Sequence, residues 1–230
     1  MTNPSNSGPL NILVMVSKRP ATVLSFFYGV RDEAPSRRAV EDGQGRYLTY
    51  SQLDDKSSQL ARHLLQIGVV PGQTIPLLTS SCIDMVVGVL GILKAKSTYV
   101  PIDRERWPQE RINNVLRRCN ASVVVYTGDE IVFDDCQAVQ LPLPEQHEEA
   151  SDWKHDDRCA NIMCIIFTSG TTGRPKGVQV QSSAVATLTS SPCFNYNVCP
   201  GDRVLLVLSV AFDGRLFLGY TSLDELSETS

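Results

Sequence analysis

Ile162-Met163-Cys164-Ile165-Ile166-Phe167-Thr168-Ser169-Gly170-Thr171-Thr172-Gly173-Arg174-Pro175-Lys176-Gly177 is the stretch on which the reading of this chain turns. Six apolar residues run from Ile162 to Phe167 and stop at a glycine-rich segment, the pattern of a buried strand feeding a loop. The loop holds three glycines, four hydroxyl side chains and one lysine within ten residues. Glycines let bare backbone approach a ligand, and the N–H groups, hydroxyls and ammonium then face it. Such an inventory suits a polyphosphate. It is not a Walker A loop, in which Gly, four residues and Gly-Lys-Ser/Thr follow in order. Lys176 follows a proline, precedes a glycine, and has no Ser or Thr directly behind it to hold a metal. A plain glycine-rich turn accounts for a lone Gly-x-x-Gly, but poorly for ten residues of this composition behind a strand.

The 230 residues are enough for one large domain or two small ones. A hydrophobic fraction of 42% and a charged fraction of 20% fit an ordinary globular protein. A formal charge of −4 provides no general attraction to nucleic acid or to acidic membranes. His63, His147 and His155 are scattered, which argues against histidine metal sites and Ser-His-Asp hydrolysis. The seven cysteines are odd in number and contain no Cys-x-x-Cys pair. Cys82, Cys119 and Cys164 stand in apolar contexts as small hydrophobes, so a reducing, cytoplasmic location is expected. The apolar stretch Leu10 to Val16 is too short to span a bilayer and has no basic segment before it, which argues against a secretory signal.

Beyond the leader, strands and helices alternate. Thr49 and Gln52 match a capping box, Leu53, Leu60, Leu64 and Ile67 recur at helical spacing, and Gly68 is placed to end the helix. A strand is expected from Gln73 to Leu78. Ser81 to Ala95 is apolar nearly all round and reads as a helix buried on most sides. A brief strand at Thr98 to Pro101 precedes a helix that Pro108 opens, with Ile112, Val115, Leu116 and Cys119 on one face. Ser122 to Tyr126 is a strand, and residues 129–157 form an acidic connection with a short strand at Ala138 to Leu141. A helix starts near Ser182 or Ser183, and Asp202 to Val210 reads as a strand ending in Phe212-Asp213-Gly214. This rhythm implies an α/β fold with mostly parallel sheets flanked by helices. In such sheets ligands gather at the carboxyl ends of strands, where both the 168–177 loop and the Phe-Asp-Gly turn fall.

Four segments, in order, carry a resemblance. They are Tyr47-Leu48-Thr49-Tyr50-Ser51-Gln52-Leu53; Leu93 to Asp103, continued by Trp107-Pro108 and Arg111-Ile112; Phe167 to Gly177; and Val210-Ala211-Phe212-Asp213. On these the chain resembles the N-terminal part of an adenylate-forming (AMP-binding, acyl-CoA synthetase-like) enzyme, most closely an adenylation domain of a non-ribosomal peptide synthetase. The resemblance covers about residues 24 to 213. It implies the N-terminal part of the adenylate-forming fold, truncated. Residues 1–22 would be a leader, 23–220 a partial adenylation domain and 221–230 a polar, divergent tail.

The implied reaction joins an amino acid carboxylate to ATP, with Mg, giving aminoacyl-AMP and pyrophosphate in secondary metabolism. Ser169, Thr171, Thr172 and Lys176 would contact the phosphates, while Gly170, Gly173 and Gly177 let the backbone close in and Thr168 supports the loop. Fixed donors aimed at the departing pyrophosphate stabilise its charge. Asp213 would accept the substrate's α-ammonium, a contact that acyl- and aryl-CoA ligases of the superfamily generally lack. Tyr50, Leu53, Tyr99, Pro101 and Trp107 are expected to be structural, and no catalytic residue is identified in the covered part.

Departures from the pattern are Lys96 where the family has glycine, and Ser182 where it has a histidine. The family's ribose-binding acid, adenine loop, most pocket positions and C-terminal lysine have no counterpart here. The expectation is therefore a domain incomplete alone, with a second chain supplying the missing half and a carrier protein receiving the product. A non-catalytic, partner-dependent remnant and an acyl- or aryl-CoA ligase are the alternatives.

Overall fold

The computed structural model describes residues 22–79, 82–131, 133, 135–144, 160–168 and 175–189. Helix α1 (Val23–Glu33) opens on a capping box, in which Thr22 Oγ1 accepts from Ser25 N–H at 3.1 Å and Ser25 Oγ accepts from Thr22 N–H at 2.9 Å. A short antiparallel hairpin, β1 (Arg38–Glu41) and β2 (Tyr47–Thr49), runs into α2 (Tyr50–Gln66). There Thr49 and Gln52 form the expected reciprocal cap. Leu53, Leu60 and Leu64 are completely or almost completely buried, each burial contributing about 2 kcal/mol. Gly68 adopts φ +93°, and its N–H returns to the Leu65 carbonyl while that of Val69 returns to Leu64. A side chain at that φ would be strained, so a glycine ends the helix.

The chain then alternates through β3 (Thr74–Thr79), α3 (Cys82–Lys94), β4 (Thr98–Asp103), α4 (Gln109–Arg118) and β5 (Val123–Thr127). β6 (Gln137–Leu141), β7 (Ile162–Thr168), β8 (Lys176–Gln181) and α5 (Ser182–Thr189) follow. Among the described residues six strands form one sheet in the order β6-β5-β3-β4-β7-β8. Every pairing is parallel except β7 with β8. The α/β fold with a mostly parallel sheet is the one the sequence implies. The α1 helix, the β1–β2 hairpin and β8 are additions to that reading, and β4 extends two residues beyond Pro101. The strand expected over Asp202 to Val210 lies outside the described residues.

Side-chain alternation divides the core. Ile75, Leu77, Tyr99, Val123 and Val125 face α1, α2 and α3, whereas Leu78, Val100, Ile102, Val124 and Tyr126 face α4. α3 lies close against its neighbours. A methyl at Gly91 would sit 2.6–2.8 Å from the Leu60 side chain, and one at Gly88 would sit 2.6 Å from Leu77 Cδ1. Trp107 packs against the α4 core with the Arg111 guanidinium over its ring, 3.8 Å from the centroid. Trp107 is half-buried, whereas Tyr50, Leu53, Tyr99 and Pro101 are buried.

One charge cluster ties the three-helix layer together. Lys94, at the end of α3, is fully enclosed and donates to Asp54 Oδ1 at 2.5 Å, the Asp54 carbonyl at 2.9 Å, Ser57 Oγ at 2.7 Å and Ser58 Oγ at 3.0 Å. Arg31 of α1 pairs with the other Asp54 oxygen. The Lys94 ammonium also lies over the Phe27 ring, 5.3 Å from its centroid. Burial pushes its pKa down to about 8 against the attraction of Asp54. No helix among the described residues is long and apolar enough to cross a membrane.

Candidate functional site

The parallel strands end side by side in polar residues. β5, β3, β4 and β7 finish at Thr127, Thr79, Asp103 and Thr168, in that spatial order. Thr127 Oγ1 donates to Thr79 Oγ1 at 3.3 Å, and Asp103 stands opposite Thr79 in the ladder. Asp103 Oδ1 accepts from the Arg106 N–H at 3.1 Å, which turns the chain toward α4. Arg104 donates to the carbonyls of Thr127 and Asp129, so its guanidinium is engaged by backbone. Thr79, Asp103 and Thr127 are buried and Thr168 is exposed; polar ends of this kind keep a sheet edge hydrogen-bonded while presenting it to a ligand. The sequence reading quoted Asp103 within a motif without giving it a place in the site, and passed over Thr79 and Thr127.

β7 delivers Thr168 to this edge, and the chain returns antiparallel as β8, with Thr168 opposite Lys176 and Phe167 opposite Gly177. Thr168 Oγ1 donates to the Lys176 carbonyl at 3.5 Å, a long contact across the mouth of the loop. Lys176 is exposed. Gly177 has a packing reason for lacking a side chain, beside the phosphate approach expected of it. A Cβ there would lie 2.9 Å from Ile165 Cγ2 and 3.3 Å from Phe167 Cζ. Of the expected phosphate ligands the structure thus brings Lys176 and Gly177 to the carboxyl edge. Ser169, Gly170, Thr171, Thr172 and Gly173 lie outside the described residues, as does Asp213.

Ser182, where the resemblance has histidine, begins α5 and is buried; its Oγ has no hydrogen-bond partner among the described residues. An open groove of about 430 Å³ lined by Gln181, Ser183, Ala184, Thr187 and Leu188 lies at the other end of β8 and does not adjoin Lys176. No group of three His, Cys, Asp or Glu side chains among the described residues could hold a metal ion. Cys119, Cys136 and Cys164 are free thiols. Burial pushes the pKa of Cys119 up to about 11 and that of Cys164 up to about 12, so neither is a thiolate nucleophile near neutrality.

Residues 29–223 match the family described as AMP-binding enzyme. The chain belongs to this family. Among curated relatives of this AMP-binding chain, the nonribosomal peptide synthetase pboA of Aspergillus ustus is 58% identical over 188 residues, which make up 80% of this chain and 9% of that one. The nonribosomal peptide synthetase echPS of Aspergillus ruber is 51% identical over 199 residues, 84% of this chain and 9% of that one. The chain therefore spans about a tenth of the length of the relatives it matches, and corresponds to the N-terminal portion of an adenylation-type domain. In fold it is similar to the N-terminal subdomain of Klebsiella oxytoca NpsA, with a TM-score of 0.74 at 20% identity, covering 89% of this chain and 53% of that one. It is also similar to the nonribosomal peptide synthetase FmoA3 in an AMPPNP-bound form, with a TM-score of 0.73 at 22% identity, covering 90% of this chain and 22% of that one.

Proposed function

We propose that residues 23–220 form the N-terminal part of an adenylation domain that activates an amino acid with MgATP, as aminoacyl-AMP, for transfer to a carrier protein in secondary metabolism. The observation that carries this reading is the antiparallel return of β7 into β8, with Lys176 beside Thr168 at the carboxyl end of a parallel sheet. A carboxylate oxygen attacks the α-phosphorus, the bond to the bridging oxygen breaks, and charge gathers on the departing pyrophosphate. Lys176, with the hydroxyls and N–H groups of Ser169, Thr171 and Thr172, would stabilise that charge, and Gly170 and Gly173 would admit the phosphates. Magnesium would arrive with ATP, held chiefly by the phosphates. Asp213 would receive the amino acid's ammonium as a charge-assisted hydrogen bond. The AMPPNP-bound form of FmoA3 and its α-methyl-L-serine-AMP form support this choice of ligands. The remaining pocket would come from the rest of the domain, in the same or a second chain. The free thiols of Cys119, Cys136 and Cys164 and the odd total of seven cysteines accord with a reducing cytoplasm.

ATP–pyrophosphate exchange with a panel of amino acids tests the reading, on the chain joined to a complete domain. Exchange with one acid is expected, and Lys176→Ala should lower it about a hundredfold. No exchange with any amino acid would reject it. Asp213→Ala should abolish exchange with an amino acid while sparing a plain aryl acid; the reverse would favour a CoA-ligase-type member.

A further inference from the structure

Gly177 is where the candidate site meets the packing of the sheet. Paired residues of an antiparallel ladder share a face, and successive residues alternate between faces. Cys164, Ile166 and Thr168 therefore stand on the same face as their partners Val180, Val178 and Lys176. Cys164, Ile166 and Val180 pack into the core beneath α1, α2 and α3, which identifies this as the three-helix face. Ile165, Phe167 and Gly177 take the opposite face, and both side chains belong to the core beneath α4. The methyl of Ile165 and the ring of Phe167 already fill the space of a side chain at 177, with approaches of 2.9 Å and 3.3 Å. In this register only glycine fits opposite Phe167. A slip of one residue would set Lys176 or Val178 against the ring and turn Lys176 to the α4 face.

We propose that Gly177, Ile165 and Phe167 form a register pin that selects the face of the sheet on which Lys176 is displayed, with Ile165 and Phe167 acting as positioning residues. What concerns phosphate rests on the function proposed above; the pin itself does not.

The full chain carrying Thr168→Cys and Lys176→Cys reports the register. Directly opposed residues have Cα atoms about 4.5–5.5 Å apart, within the range a disulfide spans. The 168–176 cross-link, identified by peptide mass spectrometry after mild oxidation, is expected in this background. Gly177→Ala should lower its yield sharply, because the added Cβ meets the Ile165 methyl and parts the strands at this rung while a slip would set a larger side chain there, and adding Ile165→Ala, which removes that methyl, should restore it. A cross-link undiminished by Gly177→Ala overturns the pin. So does failure of Ile165→Ala to restore it, including the case in which Gly177→Ala alone does not fold.

A second arm, with Thr168 and Lys176 intact and the chain joined to a complete domain, measures MgATP binding. Gly177→Ala should weaken it roughly tenfold, and the Ile165→Ala/Gly177→Ala pair should recover it. Loss of the cross-link with MgATP affinity unchanged would overturn the positioning role. If the joined domain without substitutions binds no MgATP while the cross-links behave as expected, the functional reading fails and the pin stands.

Discussion

Gly91 and Gly29 are both helical glycines, and their surroundings give opposite expectations. A methyl at Gly91 meets the Cβ, Cγ and Cδ2 atoms of Leu60 at 2.6–2.8 Å, whereas one at Gly29 meets nothing within 4 Å. Gly91→Ala should destabilise the chain by about 1–3 kcal/mol despite alanine's better helix propensity, because α3 must move off α2. Gly29→Ala should stabilise it by about 0.5–1 kcal/mol. Urea midpoints measured side by side check both signs. Lys96 is a third case. It replaces the glycine expected by resemblance, and it holds φ +57° at the turn from α3 to β4. Its carbonyl still accepts from the Gly72 N–H at 2.7 Å, so the turn forms at the cost of a left-handed non-glycine residue. Lys96→Gly should raise stability by about 1 kcal/mol, read as a higher melting temperature. The substitution was visible in the sequence; the strain that gives it meaning needed a φ angle.

Elements were legible where local chemistry sufficed to specify them. The Thr49–Gln52 cap forms as its spacing implies, and Leu53, Leu60 and Leu64 fill the face they share. Thr49→Ala should cost about 1 kcal/mol, because the Gln52 N–H loses its acceptor; guanidinium unfolding would measure it. β8 was not legible. Its Lys-Gly-Val-Gln-Val-Gln pattern has period two but only two apolar residues, one of them half exposed. It becomes a strand because β7 offers it a ladder of partners from Ile162 to Thr168. The same holds for β1 and β2, each too short to declare itself and, among the described residues, paired only with the other. The ladder thus brings Lys176 back opposite Thr168, and the candidate site acquires a second strand.

At the scale of the whole molecule, buried ionisable groups govern stability in alkali. Burial lowers the Lys94 pKa from 10.5 to about 8, so above pH 8 the unfolded chain holds a proton that the folded chain has released. Stability then rises with pH across that window. Cys119 and Cys164 work oppositely. Burial raises them from 9.0 to about 11 and about 12, so above pH 9 the folded chain keeps protons that the unfolded chain loses, and stability falls. Burial raises Cys136 as well, so among the described residues the thiols outnumber the one amine. The melting temperature should therefore climb from pH 8 to 9 and decline beyond it. Lys94→Met should flatten the climb while leaving the decline; a climb that persists in Lys94→Met would show that another group causes it.

The sequence by itself determined the α/β class, the α2 cap, the buried helix α3, the apolar strand β7 and the family resemblance. All of these rest on local patterns: reciprocal caps, apolar periodicity, and a glycine-rich segment of unusual composition. Only the tertiary structure decided that Asp54, Lys94 and Arg31, distant in sequence, share one buried cluster, that Gly177 is shaped by Ile165 and Phe167, and that Lys176 faces the three-helix side. Those facts depend on strand register and on which helix covers which face. Both are set by long-range packing, and no local window of residues encodes it.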